Sequence, residues 1–515
     1  MRHYLINAFL IVTLSGSAQT SPSIEWQKAL GGPGNEGANS IVRTDDGGYA
    51  LAGLCTTNGG NVTNTHGALD FWVVKLSSSG TLQWQKAFGG SGVDYALNIK
   101  QTGDQGYVVV GASGSNSGDV TGNHGDADCW VIKLNAAGDL EWQRSLGGSA
   151  SDEGECILQT LDGGYIIVGS SDSNDGDVSG NHGSGDVWLI RLGQDGTLIW
   201  QRIFGGSGID VGRVIIETGD GGYVLAGNSD SNDGDVTGAH GLDDYWLLKV
   251  SETGVLQWQR ACGGSGYDRA FGLVRRSDGV LVATGDCNSN DGDVVGAHGS
   301  TDNWVIALDS TGVLEWQRPL GGTGEDYGQA IIETTYGDLI VTGGTSSSDG
   351  DVDMNHGSSD AWVVRISGTG SLIWEKTMGG SQYDGSYGIA SAADGGYAIA
   401  ASTSSNDGEV SGFHGSGDVW AVKLATDPTG VRELDSAHFT LWPNPARDQV
   451  NVRFDMVPLE PTRLEVHTST GQLVRSGSMT GIERLLVLPT ADLAPGSYSI
   501  RIVTNGTSTQ RSFLK

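Results

Sequence analysis

The sequence predicts an all-β protein, a seven-bladed β-propeller, from three observations. Tryptophan recurs every 58 residues in two series, each 58-residue unit contains four short apolar runs, and Gly supplies 84 of the 515 residues. Glycine at about 16%, against a usual ~7%, argues against a helical bundle. A repeated unit of four short strands is the pattern of propeller blades. The two series are Trp26, Trp84, Trp142, Trp200, Trp258, Trp316 and Trp374, and Trp72, Trp130, Trp188, Trp246, Trp304, Trp362 and Trp420.

The four apolar runs of one unit predict four strands of ordinary length. In the first unit they span 38–44, 49–55, 71–76 and 82–88, with turn residues between them. Asp-Gly-Gly at 46–48 supplies the positive φ angles that a tight hairpin needs. Seven such units account for residues 19–424, so the repeats predict one ring of seven blades.

The two ends of the array predict how the ring closes. The last unit reaches its third strand at residue 424 and lacks a fourth, whereas residues 24–30 form a fourth-strand sequence with no third strand before it. The N-terminal strand should therefore complete the seventh blade and leave no open sheet edge. The alternative is an open solenoid, which needs polar capping repeats that the sequence lacks.

Charge excludes two classes of partner. Asp and Glu number 61 against 29 Lys and Arg, a net charge of −32. The residues after 424 contain equal numbers of both signs, so the acidic excess lies in the repeats. Such a surface repels nucleic acid and anionic lipid.

The first 18 residues read as a secretory leader. Arg2 and His3 precede an apolar run and then the small residues 15–18, which predicts cleavage between Ala18 and Gln19. The apolar run is too short to span a bilayer, and no later stretch predicts a transmembrane segment. The mature protein is expected to be soluble and exported.

Five cysteines cannot form a fully paired set of disulfides. They occupy mostly unrelated positions of the repeat, which predicts buried free thiols rather than a disulfide framework. They are Cys55, Cys129, Cys156, Cys262 and Cys287.

An acidic turn recurs in the long connection between the second and third strands, as in Asp175-Gly176-Asp177. Two interpretations stand. Alternating carboxylates resemble the start of a calcium loop, although the bidentate Glu of that loop is missing. Alternatively, Asp and Asn side chains close turns on their own backbone, and this interpretation is favoured. Calcium is the one cofactor considered, with candidate ligands Asp175, Asp177, Asp233, Asp235, Asp291, Asp293, Asp349 and Asp351.

A His follows in every copy of this connection, with an Asp shortly after it. Blades hold their copies too far apart for one zinc ion, whose ligands converge at ~2.0–2.1 Å. The favoured prediction is that each His pairs with its Asp and fixes the loop to the blade, as the Asp-His network does in WD-repeat propellers. The residues are His66, His124, His182, His240, His298, His356 and His414, with Asp70, Asp128, Asp186, Asp244, Asp302, Asp360 and Asp418.

Gly lies four residues before each Trp of the first series, apart from the N-terminal one, as in Gly80 and Trp84. This spacing resembles the tryptophan-docking motif of quinoprotein propellers, in which each Trp packs against the next blade. The resemblance implies blade packing and no quinone, because those enzymes typically have eight blades and further site residues that are missing here.

After a linker at 425–438, residues 439–515 leave the repeat and read as a small β-sandwich. Predicted strands lie near 450–454, 463–467, 485–488, 498–503 and 508–514. The stretch resembles the C-terminal sorting domain of type IX secretion cargo. The residues that carry the resemblance are Leu441, Pro443, Asn444, Pro445, Gly471, Leu493, Gly496, Tyr498 and Lys515.

The resemblance implies a source among the Bacteroidota, export by the leader and the type IX machinery, and removal of the tail. It further implies release or attachment to surface lipopolysaccharide, so the expected location is secreted or on the outer cell surface. The tail does not specify the function of the cargo.

No nucleophile elbow, phosphate-binding loop or paired-Cys metal motif is present, and no catalytic residue is predicted. The sequence therefore predicts a binding scaffold for an extracellular protein or glycan rather than an enzyme. The alternative is a carbohydrate-active enzyme that uses propeller carboxylates. An enzyme needs one blade that breaks the repeat, and blades three to seven look nearly uniform.

Overall fold

The computed structural model divides the chain into two compact units, Met1–Asp427 and Pro428–Lys515. The leader 1–18 with its Ala18–Gln19 cleavage site, most of the linker, and Pro443, Asn444 and Gly471 of the sorting motif lie outside the described residues. Described are 20–427, 439–442, 445–446, 448–454, 462–468, 472–479, 485–491, 493–504 and 507–515.

The first unit consists of seven antiparallel sheets of four strands each. We call these sheets blades and their strands A to D, in chain order from the first A strand; the N-terminal strand comes before them. In chain order the strands are β1 (Ile24–Leu30); β2 (Gly37–Arg43), β3 (Tyr49–Cys55), β4 (Asp70–Leu76), β5 (Leu82–Phe88); β6 (Asp94–Gln101), β7 (Tyr107–Ser113), β8 (Asp128–Leu134), β9 (Leu140–Leu146); β10 (Asp152–Gln159), β11 (Tyr165–Ser171), β12 (Asp186–Leu192), β13 (Leu198–Phe204); β14 (Asp210–Glu217), β15 (Tyr223–Ser229), β16 (Asp244–Val250), β17 (Leu256–Cys262); β18 (Asp268–Arg275), β19 (Leu281–Cys287), β20 (Asp302–Leu308), β21 (Leu314–Leu320); β22 (Asp326–Glu333), β23 (Leu339–Thr345), β24 (Asp360–Ile366), β25 (Leu372–Met378); β26 (Asp384–Ser391), β27 (Tyr397–Thr403) and β28 (Asp418–Leu424).

The A strands form the inner ring. Each A strand contacts the A strands of the two neighbouring blades, and β26 of the seventh blade contacts β2 of the first. The blades therefore surround a central channel and close on themselves. The predicted seven-bladed propeller is confirmed.

The N-terminal strand closes the ring. Strand β1 pairs antiparallel with β28, in a register that runs from Ile24 opposite Leu424 to Leu30 opposite Val419. It thereby supplies strand D of the seventh blade. Side chains reinforce the joint, because Trp420 Nε1 donates to Gln27 Oε1 at 2.8 Å.

The Trp residues of the C strands anchor each blade internally. All seven are at most 1% exposed. In the first blade Trp72 Nε1 donates to Gln85 Oε1 at 2.7 Å, and Gln85 Nε2 in turn donates to Thr63 Oγ1 at 2.6 Å in the B–C connection. One Gln of strand D thus joins the buried Trp to the long loop.

The Trp residues of the D strands join neighbouring blades. Gly80, in the C–D turn of the first blade, has a φ of +74°, and a Cβ there would lie 2.8 Å from Cε3 of Trp26. Only glycine fits both the backbone angle and the contact. The same arrangement recurs between Gly138 and Trp84 and between Gly196 and Trp142, as the docking resemblance implied.

A buried cation in strand C holds the A–B hairpin. Lys75 Nζ lies 2.9 Å from a carboxylate oxygen of Asp46 in that hairpin. Although burial raises the pKa of Asp46, the Thr44 hydroxyl and Lys75 lower it to about 2. Equivalent Lys and Arg residues of strand C are Lys133, Arg191, Lys249, Arg365 and Lys423.

All five cysteines are free and buried, as the sequence predicted. Burial raises the pKa of the Cys55 thiol. These side chains act as small apolar groups within the blades.

The second unit is a β-sandwich of a three-stranded and a four-stranded sheet. Its core includes Val450, Val466, Ile500 and Phe513. Within the described residues of this unit, the structure adds two strands to the five predicted ones, namely the first and the fourth. The seven are β29 (Phe439–Trp442), β30 (Gln449–Phe454), β31 (Thr462–Thr468), β32 (Leu473–Met479), β33 (Leu485–Pro489), β34 (Ser497–Thr504) and β35 (Thr507–Leu514).

Candidate functional site

The long B–C connections and the links between blades lie on one face of the propeller. Asp94 N, at the start of β6, donates to Leu69 O at the end of the first B–C connection, at 2.9 Å. Equivalent backbone contacts join the later blades. We call this side, which contains the acidic connections, the loop face.

Each His of the loop face lies beside the Asp at the start of strand C. In the second blade the backbone N of His124 donates to Asp128 Oδ2 at 3.0 Å, and His124 Nδ1 lies 2.8 Å from the same oxygen. The ring contact is longer for His240 at 3.3 Å and for His66 at 3.8 Å. The backbone donor occurs in all seven blades, so the Asp holds the loop whatever the ring contact.

The strand-C Asp residues are buried with one oxygen left over. Oδ1 of each has no hydrogen-bond partner, and all seven are at most 1% exposed. Burial raises the pKa of Asp244 to about 6, although the backbone of His240 opposes the shift. Buried carboxyl groups therefore hold the seven loops. Burial disfavours their charged form and so raises their pKa.

Acidification should stabilise the propeller. The folded-state pKa of Asp244 lies near 6 and its ordinary value is 3.8, so between these values the folded chain holds a proton that the unfolded chain has released. Its contribution is present at low pH and is lost as the pH rises through 6. We expect the melting temperature to fall from pH 4.5 to 7.5. Asp244→Asn should reduce the change in the free energy of unfolding over this pH range by at most about 2 kcal/mol. Glu252→Gln is the exposed control, and an unchanged pH dependence in Asp244→Asn contradicts the assignment.

The Asp-Gly-Asp turns contact the preceding inter-blade link. Asp175 Oδ1 accepts a hydrogen bond from Ser149 N at 2.7 Å, and Asp177 N donates to Gly147 O at 2.9 Å. Gly176 between them has a φ of +64°, and a Cβ added there would lie 2.3 Å from Gly147 O. The equivalent pairs Asp233 and Asp235, Asp291 and Asp293, and Asp349 and Asp351 make the same backbone contacts.

These contacts favour the turn-closing interpretation over calcium. Among the described residues, no group of three or more His, Cys, Asp or Glu side chains is placed to hold a metal ion. We expect calcium and sodium to raise the melting temperature equally at matched ionic strength, because both only screen the acidic face. A shift specific to calcium, weakened by Asp175→Asn with Asp177→Asn, would show ligation instead.

The channel positions break the repeat that the rest of the ring obeys. Three positions per blade are defined by Asp94 and its equivalents, Glu36 being the equivalent in the first blade: the residue before it, and the second and fourth residues of the motif that it begins. The fourth-position residue lines the central cavity in all seven blades. In blades one to four they are Asn35, Gly37, Asn39, Val93, Tyr95, Leu97, Ser151, Glu153, Glu155, Ile209, Val211 and Arg213. In blades five to seven they are Tyr267, Arg269, Phe271, Glu325, Tyr327, Gln329, Tyr383, Gly385 and Tyr387.

Blades five to seven form a cleft at the opening of the channel. Its volume is about 420 Å³. It continues into a central cavity of about 390 Å³, since Phe271, Gln329 and Tyr387 line both. We call it the mouth cleft; its lining residues are Arg269, Phe271, Asp286, Thr301, Glu325, Tyr327, Gln329, Tyr383 and Tyr387.

A row of three tyrosine hydroxyls crosses the mouth cleft. Tyr327 Oη lies 2.9 Å from Tyr383 Oη, which lies 2.8 Å from Tyr387 Oη. Burial raises the pKa of Tyr327 to about 12, so the row is neutral at physiological pH. Beside it, Arg269 makes a two-pronged contact with Asp286, with nitrogen–oxygen distances of 3.2 and 2.6 Å.

A second polar cluster lies in the channel at blades two to four. Tyr95 Oη donates to Glu153 Oε1 at 2.6 Å, and Arg213 pairs with Glu155. Burial raises the pKa of Glu155, although Arg213 opposes the shift. The channel thus contains charged groups that occur in single blades.

Neither cluster was predicted from the sequence, and the prediction that blades three to seven are nearly uniform was wrong at the channel. The uniform positions are those of the core, the turns and the loop face. Alignment of the seven repeats at the channel positions would have indicated the mouth cleft. Five of the nine channel positions in blades five to seven are aromatic, whereas one of the twelve in blades one to four is aromatic.

The tail matches a known family. The family model described as "Secretion system C-terminal sorting domain" matches residues 440–515. The tail is a secretion system C-terminal sorting domain. The match confirms the resemblance drawn from the sequence and makes the protein a type IX-sorted, secreted propeller protein. The sorting domain implies interaction with the type IX machinery and either secretion or attachment to the cell surface.

Several residues of the sorting motif meet inside the described part of the sorting domain. Gly496 and Lys515 exchange two backbone hydrogen bonds of 3.0 and 2.9 Å. Tyr498 Oη donates to Ala494 O at 2.9 Å, and Pro445 is exposed. The C-terminus is therefore fixed to the turn that Gly496 forms.

Solved structures resemble the chain at low identity. "YCF48 bound to D1 peptide" is 10% identical, with 79% of this chain and 100% of that chain covered and a TM-score of 0.38. Puromycin hydrolase is 12% identical, with 82% and 59% covered and a TM-score of 0.41. Glycoside Hydrolase family 32 from Bifidobacterium adolescentis is 9% identical, with 95% of each chain covered and a TM-score of 0.27. The chain spans less than two thirds of puromycin hydrolase.

No curated protein matches the sequence. Within the residues that the structure describes, no helix is long and apolar enough to cross a membrane.

Proposed function

We propose that the exported propeller is a binding scaffold that holds an extracellular ligand in the mouth cleft. The observation that carries this proposal is the place where the repeat fails. Positions that build the blades recur in all seven units, whereas the channel positions differ from blade to blade. A fold that needs only blade packing gains nothing from a cluster of aromatic and charged side chains in three adjacent blades.

The charge of the loop face limits the chemical class of the ligand. The B–C connections contain no Lys or Arg and many Asp residues, and they surround the entrance to the mouth cleft. A neutral or basic ligand approaches such a face more readily than an acidic one.

Export completes the proposal. The leader 1–18 takes the chain across the inner membrane and is removed after Ala18, and the sorting domain then directs passage through the outer membrane. The tail is removed there, and the propeller is released or attached to surface lipopolysaccharide. The source is one of the Bacteroidota. These steps rest on the resemblance and on the leader sequence.

The second candidate is a carbohydrate-active enzyme. The carboxylates of Glu153 and Glu155, which occur together only in the third blade, favour it. A carboxyl group whose pKa is raised by burial, such as that of Glu155, suits a general acid. This candidate would be supported if the protein hydrolyses a bound ligand and Glu155→Gln abolishes the hydrolysis.

A binding screen tests the proposal. The mature exported protein would be presented to extracellular proteins, glycans and whole cell surfaces, beside a variant that combines Tyr383→Ala with Arg269→Gln. We expect saturable binding that the variant loses by about tenfold or more, as hot-spot side chains do. Binding that the variant retains in full places the ligand elsewhere and contradicts the proposal.

A further inference from the structure

We propose that the ligand of the mouth cleft is a neutral oligosaccharide; this inference rests on the proposed function and names its ligand class. The mouth cleft combines aromatic rings and planar hydrogen-bonding groups, and the acidic loop face surrounds it.

Tyrosine rings of the mouth cleft are available to a ligand. Tyr383 is 38% exposed, and Tyr387 lines the wall between the cleft and the channel. The Phe271 ring in the same wall faces the guanidinium groups of Arg213 and Arg269. A pyranose ring presents a flat face of C–H groups that packs on an aromatic ring, while its rim of hydroxyls stays polar. Aromatic side chains give this contact area at a small loss of conformational entropy.

The polar groups suit vicinal hydroxyls. The buried carboxylate of Asp286 accepts two hydrogen bonds from the guanidinium of Arg269, so the ion pair fixes the guanidinium and leaves its other N–H donors for a ligand. Arg269 remains accessible, with 43% of its side chain exposed. The tyrosine hydroxyls each keep acceptor capacity beyond the contacts within their row. Two adjacent sugar hydroxyls can therefore each donate and accept in one place.

The cleft disfavours acidic glycans and hydrophobic peptides. Asp286 and Glu325 outweigh the single cation Arg269 among its lining residues, and the surrounding connections are acidic. Anionic sugars thus meet net repulsion. No aliphatic side chain lines the mouth cleft, so the leucine or valine anchor of a peptide has no apolar pocket of its own.

The repeat supplies matched control positions. Ile209 occupies the position of Tyr383 in the fourth blade and is 49% exposed, outside the mouth cleft. Tyr95 occupies the position of Tyr327 in the second blade, where its hydroxyl contacts Glu153. Tyr383→Ala is therefore paired with Ile209→Ala, and Tyr327→Phe with Tyr95→Phe.

The test is a printed array of neutral and acidic oligosaccharides, probed with the exported full chain and followed by titration calorimetry on the neutral glycan that binds best. We expect binding to neutral glycans only. Tyr383→Ala should weaken it by about tenfold or more, and Tyr327→Phe by a smaller factor, while Ile209→Ala and Tyr95→Phe leave the affinity within twofold.

Three results would overturn the inference. Binding only to acidic glycans contradicts the neutral class, and equal losses in Tyr383→Ala and Ile209→Ala remove the glycan from the cleft. If no glycan binds while a protein target binds and loses affinity in Tyr383→Ala, the ligand class is wrong and the binding scaffold stands. If no target depends on Tyr383, the proposed function fails as well.

Discussion

Deleting residues 24–30 is expected to destabilise the propeller more than any single core substitution. The deletion removes strand D of the seventh blade and exposes the edge of β28. It also removes Leu30 from the hydrophobic core cluster that the first and seventh blades share. Truncating one large core side chain costs about 2–5 kcal/mol. We expect a loss above about 5 kcal/mol, or roughly 6 °C or more in melting temperature for a ring of this size.

Calorimetry or circular dichroism measures this loss. Deletion of residues 20 and 21, which lie before the strand and are not buried, is the control and should change little. Gln27→Ala, which removes the hydrogen bonds of this side chain to the Trp420 indole and to Ser411, should give a small fraction of the effect. A melting temperature that survives the deletion of 24–30 would show that the ring closes in another way.

Deleting residues 439–515 is expected to abolish surface display and secretion. The sorting domain lies at 440–515, and the propeller and the tail are separate compact units. The truncated protein should therefore fold and accumulate in the periplasm of a host with a type IX system. Cell fractionation and protease accessibility on intact cells measure its location.

A point variant provides a second check on sorting. Tyr498→Ala removes a buried ring that packs on Phe513 with a centroid distance of 5.7 Å. It should therefore reduce surface display and leave the melting temperature of the propeller unchanged. Normal display of the truncated chain contradicts the sorting assignment. An altered melting temperature of the propeller contradicts the independence of the two units.

The blade architecture was predictable because its determinants are local and repeated. The interval between Trp26 and Trp84 sets the unit, the turn glycines set its strands, and the unmatched strand at 24–30 sets the closure. The positions of the His and Asp residues on one face follow from the alternation of strand directions.

The mouth cleft was not predictable by the same reasoning. Arg269, Asp286, Tyr327 and Tyr383 come from three blades, and no short motif joins them. A search for repeats averages over the blades and so conceals positions that differ between them. The hydroxyl row and the ion pair depend on how the A strands meet around the channel, which only the folded ring defines.

Hydrogen exchange of the ligand-bound protein tests the central claim most directly. The account predicts that the glycan or protein captured in the binding screen slows amide exchange at 267–271, 325–329 and 383–387, and leaves the equivalent segments 93–97, 151–155 and 209–213 unchanged. Protection spread evenly over the seven blades, or confined to the outer strands, would contradict a ligand held in the mouth cleft.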